Sequence, residues 1–162
     1  MRCDESSTRI AAVLTALIMS MAPLVSVFAA NDAVELERAG IFGSWSLDCG
    51  KAAGRGNAFV TVQRDGADQV SWVSDMGEPA LRVVYRMEYG HTPGPGLVAM
   101  RATAIAGRDI GAVIALVLVV EPDRMRAIDA SHSRNGVLIL DGIRMGDGKP
   151  NPWLYRCPDL KS

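Results

Sequence analysis

The chain has 162 residues, with 17 Lys and Arg against 18 Asp and Glu, and a formal net charge of −1. That length holds one domain, and that balance gives no electrostatic reason to seek nucleic acid or an anionic membrane surface. The densest basic stretch, Arg124, Arg126 and Arg134, is interleaved with Asp123 and Asp129 and reads as solvated surface rather than a phosphate site.

Residues 10–30, IAAVLTALIMSMAPLVSVFAA, form a charge-free apolar run behind an Arg-bearing start. Val27-Phe28-Ala29 offers the small-x-small pattern a signal peptidase accepts, so residues 1–29 are expected to be an export signal cleaved after Ala29 or Ala30. The alternative is an uncleaved anchor, because about 20 apolar residues span a bilayer. Pro23 favours a terminating signal core over a clean spanning helix. No cysteine follows at a lipobox position, so a lipoprotein anchor is not expected. The expected address is periplasmic or secreted, with membrane contact only through the export segment if it stays uncleaved. About 133 residues then remain, enough to bury roughly two-thirds of their unfolded surface.

Residues 30–41 form a polar N-terminal arm, in which Asn31 to Gly40 suits one helical turn. From residue 42 on, short strand-like runs alternate with turn clusters, at 42–49, 58–63, 69–75, 80–89, 96–106, 111–121, 124–131, 137–145 and 152–157. The clearest strand is Leu81 to Tyr89, where Leu81, Val83, Tyr85, Met87 and Tyr89 alternate with Arg82, Val84, Arg86 and Glu88, giving one dry and one wet face. Gly111 to Val120 is apolar on both faces, which calls for cover on both, either as a central sandwich strand or under the N-terminal segment. Asn135-Gly136 is a strong hairpin signal of the type I′ kind, and Asp141-Gly142 repeats it six residues on, so the strand count near the C-terminus stays open by one. These features predict an all-β fold over 42–162: a single small antiparallel meander closed as a barrel of about eight to nine strands, with a β-sandwich as the alternative. Closure removes the edges such a sheet would otherwise expose.

Cleavage removes Cys3 and leaves Cys49 and Cys157, an even number suited to an oxidising compartment. Trp45, Leu47 and Cys49 share a face by alternation, and Trp153, Tyr155 and Cys157 repeat that spacing. A disulfide between Cys49 and Cys157 ties first segment to last; a loop near 100 residues gives up to about 4.7 kcal/mol, less any native strain. Two unpaired thiols are the alternative. No metal site is expected, because these two supply too few ligands and neither lies in a C-x-x-C pair.

No catalytic or cofactor motif emerges. His91 and His132 fall in turn clusters, where surface histidines usually lie, and only Asp129 and Asp141 stand near His132 as acid partners. Gly146-Asp147-Gly148-Lys149 lacks the leading glycine and following Ser/Thr of a phosphate loop and reads as a turn.

Gly43-Ser44-Trp45 at the start of the first strand resembles the G-x-W signature that opens lipocalins and related calycin barrels. The resemblance implies a barrel whose closed end is plugged by Trp45 beside Gly43, under an arginine from a late strand, Arg156 or Arg144. The family's T-D-Y loop motif is absent, and the Cys49–Cys157 pairing joins other strands than the usual lipocalin bridge. The start FGSWSLDC and the ending PWLYRC are also similar to small uncharacterised exported proteins of alphaproteobacteria. The start further resembles the opening of the invasion-associated locus B family, whose later cysteines have no counterpart here, so its activity does not carry over. The alternative for Trp45 is a large core residue and nothing more.

Two functions follow as expectations. The first is a non-catalytic carrier of a small apolar ligand, lined by Tyr85, Met87, Tyr89 and Met100 inside the barrel. The second is an envelope interaction module, such as a protease inhibitor working through the arm or a surface-complex subunit. An enzyme of unknown class is the weakest alternative.

Overall fold

The structure is a computed structural model that describes residues 27–66 and 69–158; the side chains of residues 27–32 and of Tyr89 lie outside that description. Most of the expected export segment, residues 1–26, therefore falls outside the described residues.

Ten strands follow one helix. They are β1 (Gly43–Ser46), β2 (Phe59–Arg64), β3 (Val70–Asp75), β4 (Val83–Gly94), β5 (Leu97–Ala106), β6 (Val113–Val120), β7 (Arg124–His132), β8 (Gly136–Leu140), β9 (Ile143–Arg144) and β10 (Leu154–Cys157). Each strand of β1 to β9 pairs antiparallel with the next, and β10 pairs with both β1 and β7. The sheet thus closes as an eight-stranded barrel of β1–β7 and β10, while β8 and β9 form an extra hairpin. All-β meander and closure are as the turn spacing predicts.

The strand β7 is shared along its length. Its start pairs with β10 (Leu154↔Met125, Tyr155↔Arg124), and its end pairs with β8 (Ala130↔Ile139, His132↔Gly136). The segment expected as one strand over 137–145 divides at Asp141-Gly142, whose φ values of 51° and 77° make it the tight hairpin turn. Asn135-Gly136 is not a type I′ turn: only Gly136 has positive φ, because the connection holds three residues, Ser133 to Asn135, between the paired His132 and Gly136. Leu81 also departs from the expected strand. It ends a 3₁₀ helix, Pro79–Leu81, because Pro79 presets a turn before β4 begins.

The arm is more than one turn. Helix α1 (Val27–Arg38) packs on β4 and buries Ala33 and Leu36. It ends in a Schellman arrangement: Gly40, at φ 71°, donates to the Glu37 carbonyl, and Ile41 donates to the Leu36 carbonyl at 3.2 Å. Leu36 and Ile41, the apolar pair this motif brings together, are both fully buried. Arg64 holds the helix to the β2–β3 end through Glu37 at 2.7 Å, and Thr92 of β4 donates to Glu35. The helix therefore caps an end of the barrel and does not cover the outside of β6 as one sequence reading had it. The outer face of β6 leaves Ala115 exposed and Val117 half-buried.

Inside, alternate residues of every barrel strand form one cluster, including Trp45, Val62, Trp72, Tyr85, Val98, Met100, Ala102, Leu118 and Met125. Ala102 and Val98 are 0% exposed and Met125 1%, so a water-sized sphere touches almost none of this surface. Among the described residues the interior is filled.

Candidate functional site

The closed end is built from α1, Trp45 and Arg156. Trp45 and Arg156 are direct cross-strand partners, so both point inward, and the guanidinium lies 4.1 Å from the indole centroid. Trp45 donates its Nε1–H to the Ile41 carbonyl at 2.9 Å. Arg156 donates to the carbonyls of Gly40, Phe42 and Pro122, groups that a barrel end would otherwise leave without partners. Gly43 is required by geometry: its φ is 123°, and a Cβ there would lie 3.1 Å from Arg156 Nη1. Arg144, the other candidate for this role, sits on β9 and pairs with Asp147 at 2.7 Å.

Cys49 and Cys157 are bonded, with their Cα atoms 5.3 Å apart. The face assignment from alternation does not hold. β1 ends at Ser46, and Cys157 pairs with Ser44 on the outer face, opposite Trp45. The chain after β1 folds back over the outside of the barrel to reach it. The Asn57 side chain fastens this fold, accepting from Ser46 Oγ and the Asp48 amide and donating to the carbonyls of Asp48, Lys51 and Ala52.

The residues expected to line a ligand cavity are core residues. Tyr85 is 7% and Met100 3% exposed, and Met87 packs against the same cluster. The Tyr89 side chain lies outside the description. Tyr85 pairs in register with Trp72. Burial pushes its phenol pKa up, and repulsion from Asp109 adds to that.

His132 is not a surface histidine. It is the last residue of β7, 6% exposed, on the inward side with its partner Ile114. Its Nδ1 accepts the Arg134 amide at 3.2 Å, and its Nε2 is buried with no partner among the described residues. Asp129, which accepts the Asp141 amide at 3.2 Å, lines the outer groove described next, so no acid–histidine pair forms. His91 lies within β4, not in a turn, because β4 runs on to Gly94. Among the described residues no group of three or more His, Cys, Asp or Glu converges to hold a metal, and no helix is long and apolar enough to cross a membrane.

The surface carries what the interior does not. Val137, Leu138, Leu140, Ile143 and Met145, on and beside the β8–β9 hairpin, are 40–56% exposed. Next to them a groove of about 410 Å³ runs over the outer faces of β5, β6 and β7, with Ala99, Ala115, Val117, Val137 and Leu140 on its walls. These residues were missed in the sequence as a site, although Val137-Leu138-Ile139-Leu140 is an unbroken apolar run beside a turn, with no polar alternation to mark a wet face.

No family model, curated protein or solved structure matches the chain.

Proposed function

We propose that this protein is an exported, non-catalytic interaction module of the cell envelope, which engages an apolar surface of a partner protein through the β8–β9 hairpin and the groove beside it. One observation carries this: five large apolar side chains within residues 137–145 stay 40–56% exposed on a domain whose barrel interior is filled. A soluble domain that leaves such a patch uncovered risks aggregation unless something docks there. The reading of export rests on the apolar run at 10–30 and on a disulfide, which suits an oxidising compartment such as the periplasm or the exterior. The buried Ala33 and Leu36 count against an inhibitor-like arm, since α1 is committed to the barrel end.

A second reading, a carrier of a small apolar ligand, is favoured by the groove itself, whose volume of about 410 Å³ falls within the usual range for small-molecule sites. With the barrel filled, that ligand belongs outside it.

The test is capture from an envelope extract by immobilised protein, wild type against the double variant Leu140→Ser, Ile143→Ser. Wild type is expected to retain a stoichiometric partner that the variant loses. Equal capture by both overturns the proposal. No captured protein, together with saturable binding of an apolar dye that the variant loses, replaces it with the carrier reading.

A further inference from the structure

A second groove lies on another face and is of another chemical kind. It has about 790 Å³ and runs over the outer faces of β1, β2 and β3, with the folded-back chain at 49–53 and the disulfide as one wall. That wall is rigid. Besides the disulfide and the Asn57 contacts, it is packed from the β3–β4 side, where a Cβ on Gly77 would come within 2.1 Å of the Ala53 carbonyl oxygen. Phe59 and Val73 give the floor its apolar character.

The polar side chains on the lining are mostly satisfied within the protein. Ser44 and Thr61 share a hydrogen bond of 3.2 Å, Gln63 donates to Asp65, and Lys51 pairs with Asp48 at 2.8 Å. Asp75 turns its Oδ1 to the Gly77 amide at 2.8 Å. Arg82 is the exception: it lines the groove, and its guanidinium has no hydrogen-bond or ion-pair partner among the described residues. An apolar floor under a fixed wall, with one unpartnered cation at its side, complements a molecule with an apolar tail and an anionic, bidentate head.

We propose that this groove binds a single-chain carboxylate amphiphile, its head on Arg82 and its tail over Phe59 and Val73, and that the Cys49–Cys157 disulfide holds the site in shape. The site does not depend on the β8–β9 hairpin, so it stands or falls separately from the interaction module.

The experiment is calorimetric titration of the oxidised protein with dodecanoate below its micelle concentration, with dodecanol as the headless control. Saturable one-to-one binding is expected for dodecanoate and much weaker binding for dodecanol. Loss of a charge-assisted contact in Arg82→Gln should weaken dodecanoate by about tenfold or more. Thr61→Trp should block the groove, and Cys49→Ser with Cys157→Ser should weaken binding, whereas Leu140→Ser should leave it unchanged. Arg82 is exposed, so its variant folds even if the others do not. Equal affinity of wild type and Arg82→Gln, or of dodecanoate and dodecanol, overturns the proposal.

Discussion

The closed end of the barrel and the β8–β9 hairpin are built from the same kinds of residue and use them in opposite ways. At the closed end Leu36, Ile41 and Trp45 are fully buried, and Arg156 serves three backbone carbonyls, those of Gly40 and Phe42 in the helix-to-strand passage and that of Pro122 in the β6–β7 turn. At the hairpin, Leu140, Ile143 and Met145 face outward and nothing of this chain covers them among the described residues. Closure explains the difference. Strands that close the barrel have an inside to fill, whereas β8 leaves β7 just where β10 takes over its pairing, and so carries its apolar side chains outside the ring. Stability should therefore be concentrated at the first region, and binding at the second.

The comparison breaks most visibly at Trp45. Trp45→Ala should cost about 3–5 kcal/mol, read as a fall in the denaturant midpoint, because it opens a void under Arg156 that the barrel cannot collapse into. A cost below about 1 kcal/mol would mean that the closed end is not the keystone of the domain. Removing the disulfide with Cys49→Ser and Cys157→Ser should cost about 2–4 kcal/mol, since a bridge between residues 108 apart restrains a long loop in the unfolded chain. Arg156→Met keeps apolar contact with Trp45 but strands the carbonyls of Gly40 and Phe42, so about 1–3 kcal/mol should be lost.

Alkaline titration sharpens the contrast between inside and outside. Burial raises the Tyr85 pKa, so the folded state favours the neutral phenol. Its contribution to stability is complete below the ordinary phenol range and is lost as pH rises through the raised value. Ultraviolet phenolate titration should show a late-ionising tyrosine in the folded protein, absent in Tyr85→Phe. The smallest expected effect is at the hairpin: Leu140→Ser, at a position already 51% exposed, should change stability by no more than about 0.5 kcal/mol while reducing partner capture.

Much of the barrel is legible in the chain because turn chemistry is local. Gly and Pro clusters mark where strands stop, and the expected runs 58–63, 69–75, 96–106 and 124–131 agree with β2, β3, β5 and β7 to within a residue or two. The disulfide partners are legible for a simple reason, that only two cysteines follow the apolar run at 10–30. Facing is less so. Alternation carried past Ser46 puts Cys49 with Trp45, but pleating ends where pairing ends, and the chain there doubles back over the outer wall. His132 departs from the surface position that its turn cluster suggests for a related cause. It adjoins a turn, yet it is still in register with Ile114 and so keeps the inward side of β7.

The sequence by itself determined an all-β domain, the boundaries of β2, β3, β5 and β7 and the pair of sulfurs that join its ends, because period-two apolar patterning and turn residues act over a few positions. Only the tertiary structure decided that Arg156, not Arg144, stacks on Trp45, that the interior is filled, and that apolar β8 lies outside the ring. Those outcomes depend on which strand closes on which, and closure is a relation between residues more than a hundred positions apart that no local pattern encodes.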